Sequence, residues 1–382
     1  MEKIYAVIIL GIFVVGLVIL VVLIFPDKEV KAIDLEKCEI LNYNGEDKID
    51  VVFFSDKKTA EKYINTLYEI KPFDSNKNKF NFYLIDYKPD CEIYEEIALL
   101  CYSKKLVEIA GSCPNDYIVV IKDEELEIRS STYMNVISIN SNSPSSVFLH
   151  EFGHAFAYFA EEYVPADISG KSVNCAKKCE KFQGKEDGCF EGCSKEDYFR
   201  SINNGVMKTL NSNIFGTYNE FILEGRISES TRASEITEPS SKSSSIIGKV
   251  TKEEKDCSKE KYFLIEAIFD NGNMKILNKE VKLGCSGEGY GGYSYEVSYK
   301  ASVKKIEDEL TGAFNPEFIF TDVQIKEDKI EGEIFHNKDK FYLVLPFVEN
   351  VKTLIVKNQE DLVILSSSLE DIDSRACKTN PE

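Results

Sequence analysis

The stretch Ser143-Pro-Ser-Ser-Val-Phe-Leu-His-Glu-Phe-Gly-His-Ala-Phe-Ala-Tyr-Phe-Ala-Glu-Glu-Tyr163 constrains this chain more than any other. Ser143 can accept a backbone N–H as N-cap, and Pro144 suits the first helical position, where its missing donor costs nothing. Phe148, Phe152, Phe156 and Phe159 recur at helical spacing, so a helix here has an apolar stripe to bury. His150 and His154 lie one turn apart on the side away from that stripe, with Glu151 between the two faces. Histidine is scarce, at three in 382 residues, so a pair at this spacing is informative.

Two imidazoles one turn apart can both reach a single zinc ion, and a glutamate directly after the first can hold and deprotonate a water bound there. His150-Glu151-x-x-His154 is the zinc peptidase signature. The plain alternative is a surface helix with incidental histidines. The cap, the stripe and the acidic residues that follow favour the metal.

Residues Ile4 to Phe25 form an unbroken apolar run, long enough to cross a bilayer of about 30 Å. No small-residue cleavage site follows it, so the expectation is an uncleaved signal anchor over 1–26 and a juxtamembrane segment over 27–45. Flanking charges do not set the orientation, because Lys3 is opposed by Glu2, and Lys28 and Lys31 by Asp27 and Glu29. Eleven cysteines do set it: that load fits an oxidising compartment and places the bulk of the chain outside the cytoplasmic membrane. A net charge of −19 argues against nucleic acid or an anionic membrane surface as partner.

Beyond the anchor, strands read at Ile49–Phe54, Phe80–Asp86, Tyr117–Ile121 and Asn135–Ile139, with helical spacing over Ser55–Ile70 and Glu95–Ile109. Strands alternating with helices predict a twisted, largely parallel sheet covered by helices, and the histidine helix follows its last strand. Cys175-Ala-Lys-Lys-Cys179 and Cys189-Phe-Glu-Gly-Cys193 carry cysteines four apart on two short helices, which predicts nested disulfides Cys175–Cys193 and Cys179–Cys189 rather than a second zinc site. Asn213 to Ile227 reads as a further helix, and Ser228–Ser245 has linker composition. From about 246 to 376, seven short β-rich runs suggest an antiparallel sandwich, with Cys257 and Cys285 expected to staple it. The third histidine, His336, reads as a surface or edge-strand residue.

These pieces resemble the IgA-peptidase family of zinc metalloendopeptidases, in which His-Glu-Phe-Gly-His is followed by an aromatic-rich spacer, an acidic pair and a tyrosine. Here those are His150-Glu-Phe-Gly-His154 and Glu161-Glu162-Tyr163. The resemblance extends upstream to Asp50-Val-Val-Phe-Phe-Ser-Asp56, Thr59-Ala-Glu61, Pro72-Phe73 and Lys79-Phe-Asn-Phe82, and downstream through Asn204-Gly-Val-Met207 to Phe215-Gly216, about residues 46–227 in all. It implies a metzincin-like fold, a substrate strand pairing to the sheet edge, and Met207 in a turn beneath the metal. Three positions depart from the family pattern: Ala157 stands where a glycine often ends the helix, the acidic pair is Glu-Glu rather than Asp-Glu, and Ala160 occupies the usual position of the third ligand. The third ligand is therefore Glu161 or Glu162. Glu161 would stand about 10 Å above His154 in an uninterrupted helix, so a break is expected near 157–160.

The expectation is a mixed α/β (α+β) metzincin-like zinc peptidase domain, a linker over 228–245, a C-terminal antiparallel β-sandwich and an N-terminal transmembrane helix. It would be a single-pass membrane protein whose extracytoplasmic domain binds Zn2+ and hydrolyses protein or peptide substrates with Glu151 as general base. Tyr163, Tyr198 and Tyr218 are candidates for supporting the oxyanion. The alternatives are a catalytically silent surface binding or adhesion protein on the same scaffold, and a zinc hydrolase acting on something other than protein.

Overall fold

The computed structural model describes residues 36–166, 172–185, 187–232, 256–270, 273–287, 293–300, 307–314, 317–320, 333–336, 340–358, 360–370 and 372. The expected membrane span, Ile4 to Phe25, lies outside them. Among the described residues no helix is long and apolar enough to cross a membrane.

The strands of the first half are β1 (Cys38–Asn42), β2 (Ile49–Phe54), β3 (Phe80–Ile85), β4 (Glu92–Tyr94), β5 (Ala98–Leu100), β6 (Tyr117–Lys122), β7 (Ser131–Tyr133) and β8 (Val136–Asn140). β3, β2, β6 and β8 run parallel in that order, flanked by antiparallel β1 beside β3 and antiparallel β7 beside β8. Their sequences are near-continuous apolar runs because both faces are covered, as parallel sheets require. Helix α1 (Lys57–Tyr68), helix α3 (Ser146–Ala157) and helix α4 (Thr217–Arg232) contribute to the core on one face. Helix α2 (Lys104–Ala110) packs on the other, with Leu106, Ile109 and Ala110 against Val52, Ile118 and Val120.

Three local expectations change. The helix expected over Glu95–Ile109 starts only at Lys104, because a disulfide from Cys91 to Cys101 closes the preceding residues into the β4–β5 hairpin, whose turn residues Glu95 and Glu96 have positive φ. The histidine helix begins at Ser146 with no side-chain cap: Ser143 donates its N–H to Asn140 instead, closing a turn. Helix α4 runs to Arg232, so the first five residues of the expected linker are helical.

The nested disulfides Cys175–Cys193 and Cys179–Cys189 form, but not between two helices. Cys179 opens a 3-10 turn, and Cys193 ends β9 (Phe190–Cys193), which pairs with β10 (Lys195–Arg200). Cys257–Cys285 also forms, as does Cys38–Cys113, whose pairing the sequence left open. Cys377 lies outside the described residues. Five disulfides fit an oxidising environment.

The second half supplies β11 (Lys261–Asp270), β12 (Asn273–Leu283), β13 (Tyr293–Lys300), β14 (Glu307–Phe314), β15 (Glu317–Phe320), β16 (Glu333–His336), β17 (Phe341–Pro346), β18 (Val351–Lys357) and β19 (Val363–Ser368). Seven of these make two antiparallel sheets, β12-β11-β17 and β14-β13-β18-β19, which meet where Phe341 stacks on Phe314. The other two depart from the expected sandwich. β15 and β16 form a hairpin that adds to the first sheet beyond β7, completing the order β1-β3-β2-β6-β8-β7-β15-β16.

Candidate metal centre

Helix α3 is enclosed on every side: each residue from Val147 to Ala157 is buried. Its phenylalanine stripe locks the rotation. Phe148 meets Tyr63 edge-on at 5.4 Å, Phe152 meets Phe73 and Tyr117, and Phe156 stacks on Phe152. Burying each ring contributes about 1.5–3 kcal/mol, so a helix rotated enough to move the imidazoles would expose most of that core. The opposite side meets the turn at Gly205–Lys208. A Cβ on Gly153 would stand 2.7 Å from Met207 Sδ, so the missing side chain is what lets buried Met207 lie directly against the helix. Met207 thus occupies a turn against the histidine helix.

The helix ends where the sequence requires a break. Tyr158 caps it in the left-handed conformation, with φ 55° and ψ 37°, and the chain doubles back. Glu161 then approaches both histidines: its Oε2 lies 3.2 Å from His150 Nε2 and its Oε1 lies 3.2 Å from His154 Nε2. The two Nε2 atoms are 2.9 Å apart. His150, His154 and Glu161 are 1–2% exposed, and they form a cluster that can hold a metal ion.

The other ring nitrogens define what this cluster presents. His150 Nδ1 lies 2.9 Å from the Val206 carbonyl oxygen, and His154 Nδ1 lies 2.6 Å from that of Phe159. A carbonyl only accepts, so each Nδ1 carries a proton, and a ring with no proton on Nε2 turns that atom's lone pair inward. With both Nε2 atoms unprotonated, two lone pairs and a carboxylate converge, and Glu161 Oε2 has no hydrogen-bond donor. A cation satisfies all three at once, and the backbone carbonyls on Nδ1 are the orienting contacts that metal-binding imidazoles ordinarily have. Proton affinities reflect the same clustering. Burial disfavours the His150 imidazolium, yet the adjacent Glu161 carboxylate outweighs it and raises the group to about 9. Burial likewise works against ionised Glu161, but His150 and His154 hold it at about 2.

Glu162, the alternative third ligand, is turned elsewhere. Its Oε1 accepts from Asn219 Nδ2 at 2.8 Å and from Asn174 Nδ2 at 3.2 Å, and its N–H donates to the Met207 carbonyl. Burial raises its carboxyl to about 7, against the pull of those amides and of Arg200. The acidic loop is clamped from both sides. Asn174 pairs with both N–H and C=O of Ala160, at 2.7 and 2.8 Å, and Ser194 Oγ donates to the Glu161 carbonyl at 2.8 Å. Asn174 and Ser194 each adjoin a cysteine of the Cys175–Cys193 bridge. The bridge thus ties together the two residues that grip the loop carrying Glu161.

Glu151 is completely buried, and burial pushes its carboxyl up while both imidazoles and Thr132 pull it down. Its Oε2 accepts from Thr132 Oγ1 at 2.8 Å, across from strand β7. Thr132, Asn174 and Asn219 are the site residues that sequence reasoning missed. A three-residue strand carries no readable periodicity, and an asparagine announces no partner until the buried carboxylate beside it is known.

The three tyrosines are placed by packing. Tyr198 lies against Ala160, Cys175 and Cys193, Tyr218 meets Phe182 at 4.8 Å, and Tyr163 is buried beyond the acidic pair. His336 ends the edge strand β16, in register with Glu317. No family model matches the chain, and no curated protein does.

Proposed function

We propose that this chain is a zinc metalloendopeptidase, held at the cell membrane by its N-terminal apolar segment, with the folded part outside the cytoplasm. The observation that carries the reading is the convergence of His150, His154 and Glu161 in one buried cluster, with Glu151 next to His150 on the helix and its carboxylate held by Thr132. The resemblance to the IgA-peptidase family and the metzincins points the same way, through His150-Glu-x-x-His154, the acidic pair and Met207.

His150, His154 and Glu161 would hold the ion, and zinc bound there supplies Lewis-acid activation of water and of a scissile carbonyl. Glu151 accepts the proton of the attacking water on its carboxylate and returns it to the departing amine nitrogen, so no covalent enzyme intermediate forms. Thr132 holds one oxygen of that carboxylate by its hydroxyl. The Val206 and Phe159 carbonyls keep both rings in the tautomer that turns Nε2 inward.

The test is Glu151→Gln in the full chain. It retains about one zinc per chain and loses cleavage of a denatured protein mixture, by two to four orders of magnitude for removal of a general base. An active variant ends this mechanism. A zinc-loaded wild type that cleaves nothing favours the binding-protein alternative.

A further inference from the structure

Strand β7 is where the candidate site meets the edge of the sheet. It is the last strand of the first-half sheet, and Thr132 at its centre bonds the Glu151 carboxylate. An extended peptide laid along that edge would run beside the reacting groups, with its backbone hydrogen bonds supplied by β7. The chain itself already occupies this place. β15 pairs antiparallel with β7, setting Phe318 opposite Tyr133, Ile319 opposite Thr132 and Phe320 opposite Ser131. The occupant arrives from almost two hundred residues downstream. It leaves behind the two sheets that its neighbours β11–β14 and β17–β19 build, and it brings only its hairpin partner β16. A second, independent observation agrees: His150, Glu151, His154 and Glu161 are each no more than 2% exposed, so the site is closed in this conformation.

We propose that the β15–β16 hairpin is an intramolecular competitor for extended polypeptide. It holds the β7 edge as an added strand, and the site accepts a peptide only when the hairpin moves aside. The proposal rests on the peptidase reading for its consequence in catalysis. Its occupancy claim stands on the strand pairing alone. The competing role for such a hairpin is to cap an otherwise sticky edge against aggregation.

The experiment uses the zinc-loaded full chain in detergent with fluorescein-labelled denatured casein, read by polarisation in a Glu151→Gln background and by cleavage in the Glu151 background. Ile319→Pro removes a backbone donor from β15, which a strand flanked on both sides cannot spare. It should tighten casein binding at least tenfold and raise kcat/KM by a similar factor. Ser131→Cys combined with Phe320→Cys tethers the strands, and should lower both readouts relative to either single variant. If proline weakens the fold, seen as lost zinc, the tethered chain decides alone. Unchanged binding in both variants overturns the proposal, and cleavage by wild type in that case leaves the peptidase reading intact. Tighter binding in Ile319→Pro with no cleavage by any chain supports the hairpin's role and removes the peptidase reading. Aggregation of Ile319→Pro without tighter binding assigns the hairpin to edge capping and overturns the proposal.

Discussion

The Nδ1–H of His154 donates to the carbonyl oxygen of Phe159, 2.6 Å away and only five residues along the chain. One left-handed residue between them, Tyr158, makes that contact possible. The same turn that orients the second imidazole also carries Glu161 back toward it, so helix end, ring tautomer and the placement of Glu161 are a single local arrangement.

The backbone at Tyr158 can therefore be tested directly. Glycine adopts this conformation without steric cost, whereas a β-branched residue resists it. Tyr158→Gly should keep zinc affinity within about threefold. Tyr158→Val should lower it by about 10- to 100-fold, the usual effect of disturbing an orienting contact. Competition with a fluorescent chelator measures both.

The two members of the acidic pair should separate cleanly. Glu161→Ala removes a carboxylate that faces both Nε2 atoms, and zinc affinity should fall at least 100-fold. Glu162→Gln, whose carboxylate faces two asparagines, should retain it within a few-fold. Zinc must also displace the proton that Glu161 holds on His150 up to about 9, against the cost of burial. Apparent affinity should therefore drop by about tenfold for each pH unit below roughly 9, and a pH series of the same titration checks the slope.

Glu162 gives the fold a pH dependence of its own. Burial raises its carboxyl to about 7 in the native state, from an ordinary 4.5 that it regains on unfolding. Between those values the native protein binds more protons than the unfolded chain, so stability declines as pH rises from about 4.5 to 7 and is level above that. The slope from this one group approaches 1.4 kcal/mol per pH unit. Thermal unfolding of wild type and Glu162→Gln across pH 4.5–8 should show a steeper decline in wild type than in the variant between about 4.5 and 7, the difference being the Glu162 contribution.

The Cys175–Cys193 bridge should matter to the metal as well as to stability. Replacing both cysteines by serine frees a loop of 18 residues, worth about 3 kcal/mol in chain entropy. It also loosens Asn174 and Ser194 from the loop that presents Glu161. Unfolding in denaturant should report the first effect, and a zinc affinity lowered about tenfold the second. If affinity is unmoved while stability falls, the bridge serves the fold alone.

Local signals carried much of the arrangement. The histidine helix, its phenylalanine stripe, the break after Ala157, the parallel strands and the nested cysteine pairs can all be read from spacing within 20 residues, because the pattern that marks each one is local even where its partners are distant. The helix expected over Glu95–Ile109 went astray for a related reason. Its apolar spacing suits either structure, and the Cys91–Cys101 bridge settles it as a hairpin before the helix can start.

By itself, the sequence determined that two imidazoles would stand one turn apart on a buried helix, with a glutamate between them and two more just past a forced bend. Only the tertiary structure decided which of those two turns toward the rings. That choice is made by Asn174 and Asn219, which claim Glu162 from distant segments, leaving Glu161 to the histidines. It likewise decided that Thr132 bonds Glu151 and that β15 lies along β7. Hydrogen bonds between segments tens to hundreds of residues apart leave no periodic trace in the chain, since each depends on where the fold delivers its partner.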